Sequence, residues 1–186
     1  MVTIVELWQP ILLSTVLAFF GGFVLYMLVP IHAHDWGMLP DEGGIMERLR
    51  QAAVKPGMYM FPCATSPKDM GTPEFQARME QGPVGIAIVR PSGRMSMAPG
   101  LIKMAIYHLV ISVLVAYVAG RALPPGTEYL RVFQIVGATA VLAYAGATFP
   151  FGIWYGATLR YTINQTIDGV VWGLLTAGSF AWLWPR

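Results

Sequence analysis

Four long apolar stretches dominate this sequence, namely Ile11–Val29, Ile102–Leu123, Tyr129–Thr148 and Tyr161–Trp184. A helix needs about 20 mostly apolar residues to cross a bilayer, and each stretch has that length. The first contains no charged residue, whereas the fourth contains Asp168. Because the hydrocarbon core offers no water to backbone N–H and C=O groups, such stretches must be helices. The pattern predicts an all-α membrane protein with four transmembrane helices packed as a bundle.

The composition agrees with a membrane protein and argues against several other classes. Only 12% of the 186 residues are charged and 55% are hydrophobic. Soluble domains carry about 25% charged residues, so we do not expect a soluble enzyme. The formal net charge is +2 and no basic run occurs, which argues against a nucleic-acid partner. Cys63 is the single cysteine, so no internal disulfide can form.

The segment between the first two apolar stretches has a different character. This insert, residues 31–100, contains most of the prolines and most of the charged residues within about 70 residues. It is small for an independently folding domain. We therefore expect residues 1–186 to form a single membrane domain, with the apolar residues of the insert packed on the membrane surface or on the helices.

Local signals predict short elements in and after the insert. Residues 45–50 have the pattern of a short amphipathic helix. Thr72 followed by a proline is typical of a helix start, and that helix should end before Gly82. Residues 85–89 and 94–97 read as the two strands of a hairpin. Residues 149–156 are rich in aromatics, as interfacial connections are, and are expected to join the third and fourth helices.

Small residues recur at four-residue spacing along each apolar stretch. Lipid provides no hydrophobic drive between helices, so small residues that let backbones approach favour packing. The four predicted packing ridges are Ser14, Ala18 and Gly22; Ser112, Ala116 and Gly120; Thr139, Ala143 and Ala147; and Gly169, Gly173, Ala177 and Ala181.

Two ionisable residues lie inside the apolar stretches beside these ridges. His108 is one helical turn before Ser112, and Asp168 directly precedes Gly169. Counting about 1.5 Å per residue places both about 10 Å deep. We predict one intramembrane polar cluster, formed by His108 and Asp168 together with Asn164, Tyr107 and Ser112. Such a cluster serves proton or cation movement, or it only forms hydrogen bonds between helices.

A second group of polar residues follows the first apolar stretch. His32, His34 and Asp35 supply imidazole and carboxylate groups that can bind a metal or a cofactor. No recognised metal spacing, phosphate-binding loop, nucleophile elbow or haem-attachment motif occurs in the sequence. The sequence therefore predicts no particular cofactor, and it argues against an enzyme.

The order of short motifs resembles a group of uncharacterised bacterial integral membrane proteins. These motifs are Leu28-Val29-Pro30, Leu39-Pro40-Asp41-Glu42, the run from Pro56 to Pro62, Gly82-Pro83, Trp154-Tyr155-Gly156 and Ile167-Asp168-Gly169. The resemblance spans most of the chain. It implies four helices, an insert after the first of them and a bacterial origin. It implies no activity and assigns no functional residue.

Three functions remain open from the sequence. The first, which the sequence favours because it has no catalytic constellation and its helices are apolar and rich in small residues, is a non-enzymatic subunit that packs in the bilayer against other membrane proteins or against itself. The second is a small proton- or cation-coupled transporter that uses Asp168 and His108. The third is a membrane-bound metal or cofactor protein that uses His32, His34 and Asp35. For all three functions we expect the protein in the bacterial inner membrane. The basic residues of the short connections between helices favour termini on the cytoplasmic side.

Overall fold

The computed structural model describes all 186 residues and contains two compact units. The helical unit consists of Met1–Trp36 and Ser96–Arg186, and the insert unit consists of Gly37–Met95. In chain order the helices are α1 (Trp8–Phe23), α2 (Glu42–Gln51), α3 (Pro73–Gln81), α4 (Ala98–Ala122), α5 (Tyr129–Ala145), α6 (Thr148–Tyr155) and α7 (Leu159–Trp182). The strands are β1 (Gly57–Phe61) and β2 (Gly85–Val89).

Three helical segments are long and apolar enough to cross a membrane. They are Trp8–Leu28, Ala98–Ala122 and Tyr129–Tyr155. They correspond to the first three predicted stretches and are compatible with an integral membrane protein. The fourth predicted stretch forms α7, which is 24 residues long but is more polar. The predicted aromatic connection is instead helical, since residues 148–155 form α6.

The insert unit contains the two predicted helices but a different strand pairing. The start of α3 is confirmed, because the Thr72 hydroxyl accepts a hydrogen bond from the backbone N–H of Phe75. The expected hairpin between residues 85–89 and 94–97 is wrong. β2 instead pairs antiparallel with β1, and Gly57 lies opposite Val89. Pro91, which cannot donate a backbone hydrogen bond, lies two residues after the end of β2, and residues 94–97 form no strand.

The helical unit is held together by α7, which packs against α5 and α1, while α4 packs against α1 and α5. Two glycines of α7 allow a close approach to α5. A Cβ atom at Gly169 would lie 2.9 Å from the Ala145 backbone nitrogen, and one at Gly173 would lie 2.9 Å from that of Val141. Real Cβ atoms do not approach backbone this closely, so glycine is needed at both positions.

On three of the four helices the residues of the predicted packing ridges are buried or half-buried. Buried positions include Ser14, Ala18, Ser112, Ala116, Gly120, Gly169, Gly173, Ala177 and Ala181, and Gly22 is half-buried. The ridge on α5 is wrong, since Ala143 and Ala147 are exposed. The buried face of α5 instead carries Val132, Val136, Ala140 and Tyr144. Small residues are common on every face of an apolar helix, so their spacing alone does not identify the packed face.

Candidate functional site

The local backbone after α1 positions the candidate site. The helix continues as one π-helical turn, in which the Val29 N–H donates to the Val24 carbonyl over 3.0 Å. Val29 itself is extended (φ −102°, ψ 123°), as a residue before proline is expected to be. Pro30 then opens a short 3-10 turn that ends at His32. The proline thus ends the helix and places His32 beside α7.

The imidazole of His32 lies between two carboxylates from separate parts of the chain. Its Nδ1 is 2.7 Å from Oδ2 of Asp35, and its Nε2 is 3.2 Å from Oδ1 of Asp168. All three side chains are shielded from solvent, with exposed fractions of 9% for His32, 2% for Asp35 and 0% for Asp168. We call these three residues the carboxylate–imidazole array.

The two contacts of His32 define its protonation chemistry. A neutral imidazole has only one N–H, whereas the imidazolium ion can donate to both carboxylates at once. Burial by itself lowers the pKa of His32, but the hydrogen bonds and charges of Asp35 and Asp168 outweigh that effect. The result is that the pKa of His32 is raised above its ordinary value. The array therefore favours retention of a proton.

Neighbouring side chains fix the orientation of the array. The amide of Asn164 donates to Oδ1 of Asp35 over 2.6 Å and to the Ile31 carbonyl over 2.9 Å. The ring of Tyr26 stacks on His32, with centroids 4.1 Å apart and planes within 4°. The Gln165 amide donates to the Tyr26 hydroxyl over 2.9 Å. Asp35 thus has two hydrogen-bond donors around it, whereas Oδ2 of Asp168 has none.

A cleft of about 490 Å³ opens beside the array. Among its lining residues are His32 and Asp35 of the array, with Tyr26 and Gln165 of the surrounding shell. The cleft is partly open to the surface, and His32 and Asp35 line it whereas Asp168 does not.

The structure divides the predicted intramembrane cluster into two parts. Asp168 and Asn164 belong to the carboxylate–imidazole array. Ser112 lies one helical turn after His108 on α4, and its hydroxyl oxygen is 3.0 Å from that of Ser14. Tyr107 and His108 form an aromatic group with Tyr144 and Trp172. The predicted pairing of Asp168 with His108 is therefore replaced by a pairing with His32.

The position of Trp172 explains why His108 is not the partner of Asp168. The His108 ring lies 5.1 Å from the Trp172 ring, and its Nδ1 is 3.3 Å from the Tyr144 hydroxyl. Trp172 is one helical turn beyond Asp168 on α7, or about 6 Å along the axis. Counting residues from the start of each apolar stretch gives His108 and Asp168 similar depths, and this count does not show that His108 lies at the level of Trp172. His108 is fully buried and its Nε2 has no hydrogen-bond partner.

The structure does not bring His34 into the group predicted for metal binding. His34 is exposed, whereas His32 and Asp35 bond to each other. No three His, Cys, Asp or Glu side chains are arranged to hold a metal ion. His32 and Asp35 thus belong to the same site as Asp168, although the sequence predicts two separate sites.

Two site residues were missed by the sequence analysis. Tyr26 and Gln165 orient the array, but neither belongs to a motif. The available signal was weak: Gln165 directly follows Asn164, and Tyr26 is a polar aromatic residue near the end of an otherwise apolar stretch. Only the packing of α1 on α7 shows that the two side chains meet.

The fold and the site together are compatible with a membrane protein that has a buried ionisable site at the end of its first apolar helix. Comparisons with known proteins do not assign the chain to a family. No protein-family model, curated protein or solved structure matches the chain.

Proposed function

We propose that this chain is an integral membrane protein with four spanning helices packed as a bundle, and that α7 is the fourth span. At about 1.5 Å per residue the 24 residues of α7 extend about 36 Å, enough to cross a bilayer. Its polar residues Asn164, Asp168 and Thr176 are buried, so protein rather than lipid covers them. This arrangement is typical of a spanning helix that carries functional polar groups.

We further propose that the protein is a small transporter that carries protons across the membrane, located in the bacterial inner membrane with cytoplasmic termini. The observation that supports this function is His32 held between two shielded carboxylates beside an open cleft. Ionisable residues inside membrane proteins that pair with one another mark proton relays. Four helices enclose little space, so we expect the transporter to act as a homo-oligomer or with other membrane subunits.

The geometry allows a proton to move within the array. In the first state, His32 is an imidazolium ion that donates Nδ1–H to Asp35 and Nε2–H to Asp168. Transfer of the Nε2 proton to Oδ1 of Asp168 leaves a neutral imidazole and a neutral carboxylic acid. Asp35 keeps its two donors, from His32 and Asn164, throughout the transfer. His32 and Asp168 are therefore the two groups that exchange the proton, whereas Asp35 stays ionised.

Proton flux into liposomes tests this function. The purified protein is reconstituted with a trapped pH-sensitive dye, and flux is driven by a potassium diffusion potential. We expect wild-type flux well above that of empty liposomes and at least a tenfold loss in Asp168→Asn and His32→Gln. The matched control is His108→Phe, which removes a buried imidazole outside the array and should retain flux. Equal flux in all four proteins, or none above empty liposomes, would exclude the proposal.

A non-enzymatic subunit is the second candidate. Helix α6 favours it, because this apolar helix has no buried residue and exposes Phe149, Ile153 and Trp154. Such a face suits contact with another membrane protein. Chemical crosslinking of native membranes through Ile153→Cys tests this alternative, with Cys63 replaced by serine. A specific crosslinked partner supports a subunit role, and crosslinking to lipid alone argues against it.

A further inference from the structure

Both faces of the two-stranded sheet in the insert unit are largely apolar, and one of them is the more exposed. Met58 lies opposite Ile88 and Met60 lies opposite Ile86 in the antiparallel register. Opposite residues share a face and alternate residues point the same way, so these four side chains form one patch. We call it the Met–Ile face. Met58, Met60 and Ile88 are 65%, 51% and 61% exposed.

The insert unit does not bury this face in a core of its own. None of its residues belongs to the hydrophobic core cluster, and neither α2 nor α3 contains a buried residue. A contiguous exposed apolar patch marks an interaction surface. Something outside the insert unit must therefore cover the Met–Ile face.

Charge and chain connectivity indicate what covers it. The chain continues from β2 through the exposed Arg90 and Arg94, and no Asp or Glu occurs between Glu80 and Glu128. Helix α4 begins at Ala98, nine residues after the end of β2. Even a fully extended connection of that length reaches only about 30 Å. An apolar face that is followed by two arginines and connected by a short segment to a spanning helix suits a bilayer that contains anionic lipids.

We propose that the Met–Ile face lies in the interfacial region of the membrane that α4 crosses, with Arg90 and Arg94 on anionic lipid headgroups. This inference rests on the proposed membrane insertion but not on the proposed proton chemistry. It assigns the insert unit a membrane-binding role, in which the flat sheet anchors residues 37–95 at the lipid surface.

Lipid quenching of a site-specific fluorophore tests the proposal in the full chain. Cys63 is exposed and is first replaced by serine. An environment-sensitive dye is then attached at Met58→Cys, on the Met–Ile face, or at Ala87→Cys, which lies opposite Tyr59 on the other face of the same sheet. The labelled proteins are placed in nanodiscs of phosphatidylcholine and phosphatidylglycerol with brominated acyl chains. We expect at least threefold stronger quenching at position 58 than at 87.

Two further measurements separate the possible outcomes. A label at Leu114→Cys, an exposed position on α4, reports membrane insertion independently. Quenching at 114 without quenching at 58 overturns the anchoring proposal and leaves the membrane span intact, whereas no quenching at 114 overturns the insertion itself. Equal quenching at 58 and 87 also overturns anchoring. So does a blue shift of the dye emission at 58 that grows with protein concentration without lipid quenching, because it indicates that another copy of the chain covers the face. Arg90→Gln with Arg94→Gln should weaken quenching at 58 in anionic nanodiscs only.

Discussion

Nε2 of His32 lies 3.2 Å from Oδ1 of Asp168, and this contact joins the turn after α1 to the middle of α7 across 136 residues of sequence. Asp168 is fully buried, so the contact supplies a counter-charge to a carboxylate that would otherwise be costly to bury. The same contact makes His32 the central group of the proposed proton site.

A double-mutant cycle should identify His32, and not His108, as the partner of Asp168. Substitutions at residues in one hydrogen-bonded network show coupling energies of about 0.5–3 kcal/mol. At independent sites the changes in unfolding free energy are simply additive. We expect coupling in this range between His32→Ala and Asp168→Ala, measured by unfolding in detergent micelles. The cycle of His108→Ala with Asp168→Ala should give less than about 0.5 kcal/mol. The reverse ranking would restore the pairing predicted from sequence.

Stability should decrease as the pH rises through the pKa of His32. The pKa of His32 is raised in the folded protein by its two carboxylate partners, against the opposing effect of burial. A raised folded-state pKa contributes stability that is fully present below the unfolded value of about 6.5 and is lost above the folded value. Thermal midpoints measured upward from pH 6 should therefore fall. His32→Gln should flatten this part of the profile, and an unchanged slope would contradict the assignment.

Alanine substitutions at two glycines of α7 should change the stability of the protein in opposite directions. Replacing a helical glycine by alanine gains about 1 kcal/mol in helix propensity. Gly178 has no atom within 4 Å of the new Cβ, so Gly178→Ala should stabilise. At Gly173 the Cβ would meet the backbone of Val141, and overpacking of this kind costs about 1–3 kcal/mol. Thermal melts of the two variants in detergent provide the comparison, and stabilisation by both would mean that α5 and α7 are not in close contact.

Cysteine accessibility tests the proposed four spans. In a background with Cys63 replaced, cysteines at Ser66 and Ser92 should react with a membrane-impermeant maleimide from one side. A cysteine at Thr127 should react only from the other side, because Thr127 follows the proposed span α4 in the chain, whereas Ser66 and Ser92 precede it. Reaction of all three positions from the same side in intact vesicles would rule out a spanning α4.

Much of the helical architecture could be predicted from local sequence. Long apolar stretches have few alternatives to a helix, so α1, α4, α5 and α7 lie near their predicted bounds. The cap at Thr72 acts through its immediate neighbours, and α3 begins where predicted. Strand pairing is not local in this way. The partner of β2 is β1, which precedes it by a long connection, and the nearer segment 94–97 was the wrong choice.

The sequence by itself determined which residues can form helices and which ionisable groups lie in or beside apolar stretches, because both properties depend on short-range composition and spacing. It did not determine which of those groups meet. His32 was predicted in a surface turn and Asp168 in a helix cluster with His108, and each assignment was reasonable for its own segment. The tertiary structure joined them, because Pro30 turns the chain beside α7 while Trp172 occupies the position against His108. Contacts between distant segments depend on helix rotation and relative height, which residue spacing does not encode.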